Sequence, residues 1–381
     1  MENFFGDELE KIVFCPDTLS LEVGAEIRGR YFKDTQIFNV FPPSIEADGV
    51  VLGHVLNASD TPNDDLLCAI VDGEELEFYS DGKKLKIESY SLYQNIFSRN
   101  KGILETDVMQ NKRAVILGCG SVGSLVAMEL ARSGVGHFLL ADPDTLEYHN
   151  ICRHQCGIED VGDLKINALK RKILHINPSA EVQTCDRVIQ NVPKEMLDAF
   201  CVSGDTVFVG CADNRGADVY SNRISVYYSC AFVSIGFWER AFAGEIFYHI
   251  PGEGMPCYEC ALGSGANLSA RVQANHHVYS NQEDVELLKF EPGISVDINF
   301  ITCIGIKIII DILNRTNETY IPRLLNNLRQ YTLVCNTSDP AIGGEMVEIF
   351  SYPLQVTTSL VVKFRNQCGE ACKYELEESE G

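Results

Sequence analysis

The sequence is short of cations: 31 Lys and Arg stand against 54 Asp and Glu, a formal charge of −23 in 381 residues. Duplex binding needs clustered Lys and Arg to displace counterions, so no nucleic-acid partner is expected. A few local cations still suffice for a small anionic ligand. The acidic surface has an ordinary reading in solubility and an alternative one as a docking face for a basic partner. Long hydrophobic runs are missing too. The most apolar stretch, Phe300 to Leu313, is too short for a membrane span and carries Lys307 and Asp311. The first eight residues hold no basic region followed by an apolar core, so no secretory signal is expected. Internal repeats and low-complexity tracts are absent apart from the acidic tail, Glu375 to Gly381. Cysteine, by contrast, is plentiful. Fifteen of them, an odd number scattered through apolar segments, fit a reducing cytosol better than a disulfide framework, so a cytoplasmic location is expected.

What is present is organised around one stretch. Ala114 to Leu117 reads as a buried strand and runs into Gly118-Cys119-Gly120-Ser121-Val122-Gly123, a G-x-G-x-x-G turn. Behind it, Leu125, Val126, Met128, Leu130 and Ala131 recur at helical spacing. Gly118 permits a tight turn, Gly120 lets backbone amides approach a polyphosphate, and Gly123 lets helix and strand pack closely. A second strand, from His137, ends on Asp142, at the spacing that suits a carboxylate gripping a ribose. The unit predicts nucleotide binding.

Residues 1–92 lack this rhythm. Short extended stretches at 11–15, 25–32, 50–56, 66–71, 76–79 and 84–87 alternate with turn clusters such as Asp72-Gly73 and Asp81-Gly82, predicting a small, mostly β accessory domain of unknown role. Residues 93–381 alternate strands (181–185, 206–210, 231–237, 244–250) with helices (164–177, 194–200, 216–228, 300–313), which predicts an α/β, doubly wound Rossmann-like sheet. Its ligand edge, the C-terminal ends of the strands, should carry both Asp142 and Asp213.

Beyond Asp142-Pro143-Asp144 come Asn150-Ile151-Cys152-Arg153-His154-Gln155, then Val161-Gly162-Asp163-Leu164-Lys165, and later Cys211-Ala212-Asp213-Asn214. In this order the chain resembles the ThiF/MoeB/ubiquitin-activating superfamily of adenylating enzymes, over about residues 97–372. The resemblance implies that Ser121 and Val122 join the glycines in holding ATP, with Asp142 and Asp144 at the ribose side. Asn150 and Arg153 would hold phosphate oxygens, Arg153 through its planar fork. Lys165 would neutralise charge as a carboxylate attacks the α-phosphate. Asp213, with Asn214 beside it, would hold Mg²⁺. Singly, each has a structural alternative, since an Asp ending a strand is often a cap and Lys165 sits near Lys170, Arg171 and Lys172. Family members are commonly homodimers whose partner subunit sends an arginine into the ATP site, which makes Arg99 in Phe97-Ser98-Arg99-Asn100 the counterpart here, an ordinary surface arginine being the alternative.

Cys257-Tyr258-Glu259-Cys260 and Cys368-Gly369-Glu370-Ala371-Cys372 are two cysteine pairs, and four thiolates make a closed tetrahedral zinc site. The resemblance implies such a structural Zn²⁺, although the second pair has one residue more between its cysteines than relatives usually show. Many relatives pass the acyl group to a cysteine in a crossover loop, but residues 263–299 contain none. Cys303 is expected in the core of the 300–313 helix, and Cys152, Cys156 and Cys185 are poor substitutes. His276 and His277 are expected to be solvated. The expected function is ATP-dependent adenylation of the C-terminal carboxylate of a ubiquitin-like protein, after which the reaction stops at the acyl adenylate, or a cysteine elsewhere in the chain or an external thiol on a conjugating enzyme takes the acyl group. Alternatives are peptide adenylation of the microcin-maturing kind, a catalytically silent nucleotide-binding scaffold, and a nicotinamide dehydrogenase that would leave Arg153, Lys165 and Asp213 without a task.

Overall fold

The computed structural model describes residues 10–62, 65–72, 75–212, 214–263, 292–365 and 368. The chain divides into two units, Met1–Arg99 with Leu174–Ser179, and Asn100–Ile173 with Ala180–Gly381.

The first unit is a mixed sheet of eight strands: β1 (Ile12–Pro16), β2 (Glu26–Phe32), β3 (Ile37–Val40), β4 (Val50–Asn57), β5 (Cys68–Asp72), β6 (Glu75–Ser80), β7 (Lys83–Lys84) and β8 (Lys86–Tyr90), ordered β7-β6-β5-β4-β2-β3-β1-β8. Alternating residues turn Val13, Ile27, Phe38, Val55, Ala69 and Phe78 into one apolar core. Strand β3 has no counterpart among the expected stretches: four residues bounded by turns leave too little alternation to read.

The second unit is built on another eight-stranded sheet, β9 (Arg113–Leu117), β10 (His137–Ala141), β11 (Glu181–Cys185), β12 (Thr206–Gly210), β13 (Ala231–Phe237), β14 (Ala243–His249), β15 (Tyr331–Cys335) and β16 (Val356–Leu360). Their order is β11-β10-β9-β12-β13-β14-β15-β16. The first five run parallel and the last three antiparallel. From β9 the chain builds outward through β10 and β11, then returns to the other side of β9 with β12. That reversal is a topological switch point, where ligands of open α/β sheets bind.

Among the described residues eight α-helices accompany the strands: α1 (Thr106–Met109), α2 (Ser121–Arg132), α3 (Lys165–Ile176), α4 (Lys194–Phe200), α5 (Arg215–Tyr227), α6 (Tyr258–Gly263), α7 (Ser295–Leu313) and α8 (Pro340–Gly343). On one face Val115, Leu117, Leu139, Phe208, Phe232 and Phe247 pack with α4, α5 and α6, the Tyr258 ring lying 5.2 Å from Phe247. The alternate strand residues face the opposite way, and this two-sided cover is why the parallel strands read as unbroken apolar runs. The architecture is Rossmann-like α/β.

Two expectations are corrected in α7. Ser295 to Asn299 belong to this helix rather than to a loop, its first turn carrying Asp297 at the favourable end of the dipole. Cys303 is exposed rather than core: Ile298, Ile301, Thr302, Gly305, Ile308 and Ile309 form the buried stripe, and Cys303 with Lys307 falls on the other side. The buried Asp311 of the same helix accepts the Leu324 and Leu325 amides at 2.9 Å each, fixing the chain that leaves α7. No helix among the described residues is long and apolar enough to cross a membrane.

Candidate active site

The turn after β9 lies at the switch point. Gly118 has φ +91°, and a Cβ there would stand 2.8 Å from the Ala212 Cα, in the turn that follows β12. A Cβ on Gly123 would lie 1.8 Å from the Gly118 oxygen. These two glycines are demanded by the protein's own atoms. Gly120 is different, because a Cβ there would meet nothing within 4 Å. Ser121, Val122 and Gly123 form the first turn of α2, whose N-terminal amides open beside Gly120.

Asp142, 6% exposed, ends β10 and is held by backbone. One carboxylate oxygen accepts the Cys119 amide at 2.6 Å and the other the Asp144 amide at 2.8 Å. The acid therefore fixes the glycine turn while each oxygen keeps a lone pair. Beyond it, residues 144–146 pair with 162–165: the Leu146 amide donates to the Asp163 carbonyl, Gly162 to Leu146, and Lys165 to Asp144. This short ladder returns Lys165, the first residue of α3, to Asp144, and its ammonium lies 2.7 Å from the Asp144 carboxylate. The Lys165 side chain is 11% exposed and that of Asp144 64%.

The excursion closed by the ladder, residues 147–161, carries Asn150 and Arg153, both half-buried. The Asn150 side-chain oxygen accepts the Glu147 amide at 2.9 Å, so part of this residue's polar capacity shapes its own turn. The Arg153 amide donates to the Asn150 carbonyl at 3.0 Å. Buried Asp160 anchors the far end: burial raises its pKa, but the Gly157 amide, Arg171 and Lys172 outweigh that and hold it below the usual aspartate value.

His154 directly follows Arg153 in the same segment. It is 7% exposed, its Nδ1 accepts the Cys156 amide at 3.0 Å, and its Nε2 lies 2.7 Å from the Cys119 carbonyl oxygen. Burial lowers its pKa, opposed by the Cys119 bond, while Lys165 also lowers it and Asp142 and Asp160 raise it. Sequence pattern offers no signal for such a contact, which joins residues 35 apart.

Of the other predicted residues, Asp213 lies outside the described residues. Asn214 is the N-cap of α5, its side chain accepting the Ala217 amide at 3.0 Å. Arg99 is an exposed residue of the first unit.

Apart from this site, Cys257, Cys260 and Cys368 place their sulfurs within 4.8 Å of one another. Cys372 lies outside the described residues, as do residues 264–291 with His276 and His277. The Cys257–Cys260 separation, 3.9 Å, is close to the edge of a tetrahedron with Zn–S of about 2.3 Å. Cys257 and Cys368 stand closer, at 3.0 Å. The Arg365 amide donates to the Cys260 sulfur at 3.4 Å, the kind of support a thiolate ligand uses. Three thiols so gathered suit a zinc ion, with Cys372 as the expected fourth ligand.

A glycine turn and a bound acid at the switch point of a parallel sheet define a nucleotide-binding type of α/β unit. A ThiF family model matches residues 94–340, and the chain belongs to that family. It is 28% identical over 189 residues to ubiquitin-like modifier-activating enzyme 5 of Dictyostelium discoideum, covering 46% of this chain and 49% of that protein. It is 40% identical over 90 residues to tRNA threonylcarbamoyladenosine dehydratase of Bacillus subtilis (strain 168), 23% of this chain and 35% of that one. The chain thus spans about half the length, or less, of these curated relatives. E. coli MccB, solved with succinimide, shares the fold at TM-score 0.51 and 20% identity, over 73% of this chain and 75% of that one.

Proposed function

We propose that the chain is an ATP-dependent adenylyltransferase acting on the C-terminal carboxylate of a ubiquitin-like protein. The observation that carries this reading is the nearly buried Lys165 ammonium beside the glycine turn, whose ion pair is with the exposed Asp144 carboxylate. Its charge reaches both Cys119 and His154. A triphosphate seated on the turn offers Lys165 a stronger anion than the single exposed Asp144 carboxylate, and a nicotinamide dehydrogenase has no use for such a lysine.

In the proposed step a carboxylate oxygen of the substrate attacks the α-phosphorus. A mixed anhydride with AMP forms as the bond to pyrophosphate breaks. The open side of Gly120 admits the phosphates to the α2 amides, Arg153 and Asn150 take phosphate oxygens, and Asp142 and Asp144 face the ribose. Lys165, released from Asp144, neutralises the charge that develops as pyrophosphate leaves. Asp213 is the proposed Mg²⁺ ligand. Zinc held by Cys257, Cys260, Cys368 and Cys372 would tie the C-terminal segment to α6 and take no part in the chemistry.

The acyl group passes to an external thiol. Burial raises the Cys156 pKa to about 12 and raises that of Cys185, leaving poor nucleophiles at neutral pH, while the exposed Cys152 and Cys303 are the alternatives within the chain. Arg99 is proposed to reach the site of a second copy in a homodimer.

Pyrophosphate exchange into ATP tests the reading. Exchange that depends on a ubiquitin-like protein, and that falls at least about a hundredfold in Lys165→Ala, supports it. Exchange with short peptides alone moves the substrate to the peptide class, the partner type of MccB solved with N-formylated MccA. ATP binding without exchange leaves a scaffold.

A further inference from the structure

We infer that His154 is a positioning residue of the phosphate-binding turn, orienting the Cys119–Gly120 peptide so that the Gly120 N–H faces the ligand; the inference rests on the nucleotide reading above. Cys119 is gripped on both sides of its backbone. Its amide donates to Asp142 at 2.6 Å, and its carbonyl oxygen lies 2.7 Å from His154 Nε2. The partner of the other ring nitrogen settles which proton is where. Cys156 donates its amide to Nδ1, so Nδ1 is bare, and Nε2 carries the hydrogen and donates to the Cys119 carbonyl. No peptide bond among the described residues is cis. In a trans peptide the C=O and the following N–H point in opposite directions, so a carbonyl drawn to His154 turns the Gly120 N–H away from it.

No described residue accepts the Gly120 amide, and apart from its chain neighbours none lies within 4 Å of where a Gly120 Cβ would be, so the backbone here is uncrowded. A second stitch holds the same alignment, the Gln155 amide donating to the buried Ser124 hydroxyl of α2 at 3.3 Å. Arg153 therefore precedes a residue that registers its segment against the turn, and both anion-binding pieces move as one body.

Three substitutions separate this role from a local structural one, His154→Phe removing both ring contacts. His154→Gln keeps an N–H at the reach of Nε2 and loses the acceptor for Cys156, whereas His154→Asn keeps that acceptor and loses the reach to Cys119. Affinity for ATP is measured directly by calorimetry, and KM and kcat by pyrophosphate exchange. The expected result is ATP affinity near wild type in the Gln variant. In the Asn and Phe variants it should be weaker by about tenfold, carried by KM more than kcat, the scale of one hydrogen bond. Asn matching wild type while Gln fails, or all three matching it, overturns the inference. Wild-type protein that binds ATP with the expected variant pattern yet shows no exchange overturns the adenylation reading and leaves this one standing. Wild-type protein that binds no ATP overturns both.

Discussion

Gly120 and Gly123 belong to one motif but answer to different constraints. Gly123→Ala must displace the Gly118 carbonyl, which a Cβ would approach to 1.8 Å, so a loss of about 3 kcal/mol or more is expected in urea unfolding. Gly120→Ala meets open space, so stability should change by less than about 1 kcal/mol while ATP affinity in calorimetry falls at least about tenfold. Asp160 sets a pH signature at the same scale. Its folded pKa lies below the ordinary 3.8, so it contributes stability that is complete above that value and lost as pH falls through the lowered one. Thermal melts of Asp160→Asn should be less stable than wild type at pH 7 and should converge on it at acid pH. His154 works in the same direction higher up: with its pKa lowered, stability declines once pH drops below the ordinary histidine value of 6.5.

At the scale of elements, the short α6 and the segment around Cys368 are joined by apolar packing, with Tyr258, Ala261 and Val362 in one core, and by sulfur and the Arg365 amide. A bound metal would add its own tie to that packing. Purified protein is expected to carry about one zinc per chain by atomic emission, and Cys260→Ser should lose most of it and melt lower. Protein that folds to full stability without zinc counts against the assignment. The α7 helix shows how periodicity decides such matters. Its composition suggested burial all round, but a helix on one face of a sheet still leaves an outer stripe, and Cys303 is on it.

For the whole molecule, the described sheets define two units, and the nucleotide machinery lies in the second while Arg99 lies in the first. A homodimer in which Arg99 acts on its partner's site makes a specific expectation. Arg99→Ala and Lys165→Ala proteins, each inactive in exchange, should regain part of the wild-type rate when mixed, because one site of each mixed dimer is intact. No recovery on mixing, with subunit exchange verified, places Arg99 outside the reaction.

Much of this was legible in the chain itself. Strands β9 to β13, helices α3 to α5 and the glycine turn follow from apolar runs, helical spacing and turn residues, signals contained within a dozen neighbours. The family could be read because its motif is a set of residue types in order along the sequence. Tertiary structure alone decided what depends on distant pairing: the strand order that makes a switch point beside β9, the ladder that returns Lys165 to Asp144, and the grip of His154 on Cys119. Strands β15 and β16 went unread for the same reason. A five-residue strand earns its place through the neighbour it pairs with, and no local pattern records who that neighbour is.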